Sequence, residues 1–136
     1  MLKKIGLIVG IIVLALACVA GIFAVRFQSM ANNVKAQYAC IQPLNLAQVK
    51  DGVYTGSFGD FLVSVKVNVT VKRHRIAGVK VVDQKCGPGY EALSTVDRIM
   101  KAQAPKVDAV TGASGSSMAI MIAVNRALTS PPVAGK

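Results

Sequence analysis

The chain has 136 residues, 53% of them hydrophobic, and its 16 basic and 6 acidic residues give a formal net charge of +10. This length suffices for one domain and a tail, and it excludes two full hydrophobic cores. The basic residues are scattered except at 72–75, and only three tyrosines and four phenylalanines could stack on bases, so we expect no nucleic-acid partner. A basic domain close to an anionic lipid surface fits this composition better.

The first element is an uncharged apolar run of 21 residues, from Ile5 to Val25. A helix of that length spans about 31 Å, which matches the hydrocarbon core of a bilayer. The run predicts one membrane anchor over residues 1–26. A signal peptide cleaved after Ala17, with a lipid on Cys18, is the alternative, but its apolar region would be shorter.

The orientation of this anchor follows from its flanks. Lys3 and Lys4 lie on one side and Arg26 and Lys35 on the other, so the positive-inside rule favours a cytoplasmic N-terminus only slightly. The four-residue lead before the apolar run is typical of a signal anchor. We therefore expect a single-pass protein of the cell membrane with residues 26–136 on the extracytoplasmic side.

Residues 27–50 show no sustained periodicity and are predicted to form a stalk, with some helix near the membrane. The turn signal Asp51-Gly52 then opens a domain that is expected to span residues 51–129, followed by a tail over 130–136.

Three strands are predicted at the start of the domain. Apolar and polar residues alternate from Phe61 to Val71, which is typical of a strand with one buried face. Residues 58–60 and the polar turn 72–75 connect this strand to its neighbours, and connections this short favour antiparallel pairing. The predicted ranges are 53–57, 61–71 and 76–83, the last weakened by Gly78.

Two helices follow the strands. Residues 90–103 place Leu93, Val96, Ile99 and Met100 on one face, and Pro105 is expected to end this helix. Residues 117–128 are apolar on most sides and predict a buried helix, with Ser116 or Ser117 as its N-cap. The predicted fold is therefore α+β: a small antiparallel sheet with two helices packed on one face, preceded by one transmembrane helix.

A loop of small and hydroxyl-bearing residues, 108–117, lies between the two helices. Free backbone N–H groups converge at the start of a helix, where the helix dipole also favours an anion. Gly112 and Gly115 would let the backbone approach a phosphate closely. From these residues alone, an anion site and an ordinary capped turn are both open.

The sequence VDAVTGASGSS of this loop, with the alanine-rich helix after it, resembles the FMN-binding domain family. That family includes flavinylated subunits of the sodium-pumping NADH:quinone reductase and of the Rnf complex. Its signature is Asp-x-x-(Ser/Thr)-Gly-Ala-(Thr/Ser), in which the last hydroxyl forms a phosphoester with FMN. In this chain the last hydroxyl is that of Ser114, where the family usually has threonine. The other residues that the resemblance places at the cofactor are Asp108, Thr111, Gly112, Ala113, Gly115, Ser116 and Ser117.

The resemblance implies a partner enzyme, a flavin transferase, which moves FMN from FAD to the hydroxyl outside the cytoplasmic membrane. The remaining partners would be the lipid bilayer and a membrane redox protein or complex. Because the chain has no Gly-x-Gly-x-x-Gly stretch and no acid–base pair, an electron carrier is expected rather than a stand-alone enzyme. An interaction module that has lost the flavin and a noncovalent FMN reductase are the alternatives.

One histidine and the lack of a Cys-x-x-Cys motif predict that the chain has no metal site. Cys40 and Cys86 could pair if the domain is extracytoplasmic. Cys86 precedes the first domain helix, and the sequence leaves open whether it faces the flavin or is a small buried residue.

Overall fold

The computed structural model describes residues 1–132, so the last four residues of the predicted tail lie outside the described part. Its sheet has the order β1-β2-β3 and is antiparallel throughout. Helix α3 packs on β1 and β2, and α2 contacts β3 and α3. This confirms the predicted α+β fold. The elements are α1 Leu2–Ala39, a short 3-10 turn Leu46–Gln48, β1 Gly52–Asp60, β2 Val63–Lys72, β3 Arg75–Lys85, α2 Ser94–Ala102 and α3 Ser114–Thr129.

Helix α1 contains the predicted membrane span. Residues 5–25 are exposed along their whole length, and the most apolar window of the helix has a mean hydropathy of 3.0 with none of it buried. Within residues 1–132, this is the one helix long and apolar enough to cross a membrane. A run of exposed apolar side chains of this length supports a single-pass anchor.

The same helix continues, unbroken, through the first half of the predicted stalk. Met30 and Val34 are 7% and 3% exposed and belong to the core of the domain. With Phe27, Tyr38 and Ile41 they recur every three or four residues, which is the spacing of one helical face. This helical seam was not predicted from the sequence, and it packs α1 against the domain.

The β1–β2 hairpin differs from the prediction at its turn. Strand β1 runs on to Asp60, which pairs with Val63, so the turn is formed by Phe61 and Leu62 and not by residues 58–60. Phe58 is 2% exposed and lies within the strand. Phe61 was predicted on the buried face, but it lies in the turn and is 42% exposed. The alternation of apolar and polar residues is compatible with a strand that begins at Phe61 or at Val63. The pairing with β1 fixes the start at Val63.

The buried face of the sheet is formed as predicted over most of β2. Val65, Val67, Val69 and Val71 are 0–3% exposed, and they face α3. On β1, Gly56 lets α3 approach closely, because a Cβ there would lie 2.8 Å from the Cβ of Ala127. The β2–β3 turn is polar, as predicted, with Arg73 and His74 both at positive φ.

Helix α2 is shorter than predicted. It begins at Ser94, so Leu93 lies outside it and is 56% exposed, while Ile99 is fully buried. The helix ends at Ala102, before Pro105, because Gln103 adopts the left-handed conformation. The side chain of Gln103 accepts from the Ile76 N–H (2.8 Å) and donates to the Ile76 carbonyl (3.0 Å), which covers this part of the β3 edge.

Candidate functional site

A tight turn brings the hydroxyl-rich loop to the start of α3. The Ala113 N–H donates to the Val110 carbonyl (3.0 Å), and Gly112 has φ +82°. Positive φ at the third residue is what a type II turn requires, and glycine adopts it without steric cost. The Gly112 position of the motif is therefore a conformational requirement of the loop.

Two side chains hold the loop in place. The Ser117 hydroxyl accepts from the Val110 N–H (2.9 Å) and donates to the Ala113 carbonyl (2.9 Å), and the side chain is fully buried. From α2, Arg98 Nη1 donates to the carbonyls of Asp108 (2.9 Å) and Ala109 (3.0 Å). These hydrogen bonds fix the loop backbone at residues 108–110 and at Ala113.

The start of α3 lies earlier than predicted. The N-cap is Ala113, without a side-chain cap, so the prediction of Ser116 or Ser117 as N-cap is wrong. The reason is the turn at Gly112, which delivers the backbone directly into the helix. Ser117 N–H donates the first helical bond, to the Ala113 carbonyl (3.0 Å), so the N–H groups of residues 114–116 precede the helical ladder.

A cavity of about 460 Å³ adjoins this helix start. Its volume lies within the ordinary range of small-molecule sites, and its lining is mainly apolar. One wall is the start of α3, a second comes from α1, a third from the β1–β2 hairpin and a fourth from the β3–α2 loop. The lining residues are Phe27, Met30, Leu62, Val63, Cys86, Gly87, Tyr90, Gly112, Ala113, Ser114, Gly115 and Ser116.

The apolar lining and the adjoining start of α3 together suit a ligand with a flat apolar part and an anionic end. Phe27, Leu62 and Tyr90 offer apolar and aromatic surface, while the free N–H groups at the start of α3 favour a phosphate. The exposed Ser114 is the first residue of the helix and lines the cavity, so its hydroxyl lies where these two features meet.

Five of the eight predicted cofactor residues line this cavity, namely residues 112–116. Ser117 lies beneath the loop as a support. Thr111 and Asp108 are exposed, and Asp108 lines a separate open groove of about 770 Å³ with Arg98 and Lys106. That groove is larger, but the smaller cavity holds the motif hydroxyl and the helix start, which makes it the better candidate for a flavin.

Cys86 is half-buried and lines the cavity. Its thiol is free, as are those of Cys18 and Cys40, so Cys40 and Cys86 are not paired. Within residues 1–132, no group of three or more His, Cys, Asp or Glu side chains could hold a metal ion.

The cavity walls that come from distant parts of the chain were not predicted from the sequence. The signal for Phe27 and Met30 is the helical seam described above. Leu62 and Tyr90 carry no local signal, because one lies in a turn and the other in a loop. Only the folding of the hairpin and the β3–α2 loop against α1 brings them to the cavity.

The hairpin is attached to α1 beside the cavity by Asp60. Its carboxylate accepts from the Asn33 side chain and from the Phe61 N–H (2.7 Å). The Asn33 bond, then the Phe61 bond, and weakly the charge of Arg26 hold the pKa of Asp60 below its ordinary value.

The sequence profile of the FMN-binding domain matches residues 63–129. Residues 63–129 are an FMN-binding domain. The match runs from the start of β2 to the end of α3 and includes every motif residue. Phe27 and Met30 on α1 and Leu62 in the hairpin turn line the cavity but lie outside the matched range. No curated protein matches the chain.

Proposed function

We propose that this FMN-binding protein is a membrane-anchored electron carrier whose FMN is joined to Ser114 by a phosphoester. The observation that carries the proposal is the position of Ser114: an exposed hydroxyl at the first residue of α3, in the wall of an apolar cavity. An acceptor for a flavin transferase has to be reachable from solvent. It also has to place the attached cofactor in a site.

The attachment chemistry needs an anion-stabilising site and an accessible oxygen. The Ser114 hydroxyl would displace AMP from FAD: its oxygen–phosphorus bond forms, the pyrophosphate bond breaks, and the hydroxyl proton leaves to solvent. The remaining phosphodiester keeps one negative charge. The free N–H groups of residues 114–116 would stabilise this charge by about 0.3–1 kcal/mol at an exposed helix start.

The bound flavin would supply electron transfer, and the chain's residues would orient it and limit its contact with water. Phe27, Leu62 and Tyr90 would hold the apolar ring system. The chain has no dinucleotide fingerprint for nicotinamide binding, which favours a protein partner as the electron donor. These features support a carrier between a membrane redox partner and an external acceptor.

Attachment is tested by coexpression of the full chain with a flavin transferase. Flavin fluorescence should stay with the wild-type band after denaturing electrophoresis and be lost in Ser114→Ala. Ser114→Thr should restore it, and Ser116→Ala, a neighbouring cavity serine, should retain it. Peptide mass mapping that places FMN on Thr111 or Ser117 would show the residue assignment to be wrong.

The same gel separates the proposal from its alternatives. A wild-type chain without any flavin, before or after denaturation, would indicate an interaction module that has lost the cofactor. Flavin that is present in the native protein but released on denaturation would indicate noncovalent binding. Rapid, saturable reduction of the flavin by NADH alone, measured by stopped flow, would make the protein a reductase rather than a carrier.

The membrane topology is proposed as a cytoplasmic N-terminus with residues 26–136 outside. Its support is the exposed apolar run and the signal-anchor character of the lead. Protease added to spheroplasts should then digest the domain and leave a short apolar fragment. Full protection would place the domain in the cytoplasm, and release of the domain into the soluble fraction would indicate cleavage of the anchor.

A further inference from the structure

The turn between β1 and β2 exposes two large apolar side chains. Phe61 is 42% exposed and Leu62 is 37% exposed. Tight turns that face water normally carry small or polar residues, and the β2–β3 turn does so with Arg73 and His74. The apolar β1–β2 turn therefore requires an explanation that the other turn does not.

Its position relative to α1 provides one. The ring of Phe61 packs edge-on against the ring of Phe23, with centroids 5.6 Å apart and planes at 63°. Phe23 lies inside the apolar run, two residues before its end at Val25, or about 3 Å along the helix axis. The turn thus reaches the level at which the predicted span leaves the hydrocarbon.

Polar and sulfur contacts fix the turn at this level. Asp60 accepts from the Asn33 side chain, and the Leu62 N–H donates to Met30 Sδ (3.4 Å). Both partners lie on α1, one and two turns beyond Arg26. Because α1 is continuous there, the depth of the turn is set by the depth of the helix.

From the turn, strand β1 and helix α1 lead away from the proposed membrane span side by side. Arg126 donates to the Ser57 carbonyl (2.9 Å) and to the Gln37 side chain, so β1 four residues before the turn lies beside a later turn of α1. The opposite end of β1 is accordingly the end farther from the span.

We propose that the β1–β2 turn is a second membrane-contacting element, with Phe61 and Leu62 inserted into the bilayer interface beside α1. Large apolar and aromatic side chains are favoured at this depth. The inference rests on the proposed membrane anchoring of α1. Because Phe27 and Leu62 also line the flavin cavity, the cavity opens at the lipid surface, and a membrane-embedded redox partner would meet the flavin there.

The chain has no tryptophan, so one substitution gives a unique fluorophore. Three single variants of the full chain are reconstituted in phosphatidylcholine vesicles: Phe61→Trp at the turn, Leu14→Trp in the middle of the span, and Val53→Trp. Val53 is 44% exposed and lies about 27 Å from Phe61 along β1. Each emission is measured as a ratio between vesicles with and without brominated lipid, which cancels quenching by any bound flavin.

We expect lipids brominated near the headgroup to quench Phe61→Trp, and lipids brominated near the chain end to quench this variant less. Val53→Trp should not be quenched by either lipid. Leu14→Trp should be quenched most by the deep bromines. If Leu14→Trp is quenched and Phe61→Trp is not, the turn lies in water and the inference is overturned. If Leu14→Trp is not quenched, the membrane anchoring itself fails, and the inference fails with it.

Discussion

The substitution Ser117→Ala tests whether the Ser117 hydroxyl holds the loop 108–117 in place. In Ser117→Ala the Val110 N–H loses its acceptor, and the Ala113 carbonyl loses one of its two donors. A buried donor left without a partner costs about 1–3 kcal/mol. Because Val110 is only partly buried, we expect a loss in the lower half of that range, about 1–2 kcal/mol, which changes the folding equilibrium about 5- to 30-fold.

The assay is urea unfolding of the full chain in detergent micelles, followed by circular dichroism, with amide hydrogen exchange of the loop in parallel. The matched control is Ser116→Ala. This neighbouring serine is 5% exposed, and its hydroxyl makes no hydrogen bond among the residues that the structure describes. The control should change the free energy of unfolding by about 0.5 kcal/mol at most. Equal stability of the two variants, with unchanged exchange at Val110, would refute the supporting role of Ser117.

Three further substitutions test the framework of the site. Gly56→Ala should lower the free energy of unfolding by about 1–3 kcal/mol, because the added Cβ would overlap with α3. Gly59→Ala is the control, since its Cβ would make only an ordinary contact at 3.5 Å and should leave the free energy of unfolding unchanged. Equal urea midpoints for the two variants would contradict this prediction. The pKa of Asp60 is lowered in the folded state, so its carboxylate contributes stability that is present above the ordinary pKa of 3.8 and is lost as the pH falls through the folded-state pKa. Wild type should therefore lose more stability in acid than Asp60→Asn. Parallel profiles of unfolding free energy against pH would show that the carboxylate does not hold the hairpin. Arg98→Ala should speed hydrogen exchange in the loop, and unchanged exchange would mean that the carbonyl contacts do not restrain it.

The sheet and the buried helix were predictable because each depends on a local period. The valines from Val65 to Val71 alternate with polar residues, and α3 is apolar on most sides. The hairpin turn was misplaced because an alternating pattern carries no mark of where the partner strand ends. Phe61 therefore looked like a core residue.

The candidate site was only partly predictable. Its loop is a continuous motif, so Ser114 and its neighbours could be found by resemblance alone. The other walls are distant in sequence, and nothing local ties Leu62 or Tyr90 to the loop. The N-cap was also mispredicted, because serine's preference for that position is weaker than the backbone geometry that Gly112 imposes.

If α1 spans the bilayer as proposed, its unbroken course from Leu2 to Ala39 limits how a flavin bound in the cavity would move. A domain on a flexible linker can swing between donor and acceptor, whereas a domain packed against a continuous helix would rotate about the helix axis and diffuse in the plane of the membrane. Its height above the lipid would then be constant. Electron exchange would then be a collision in two dimensions, and the spacing of its partners from the bilayer would have to match its own.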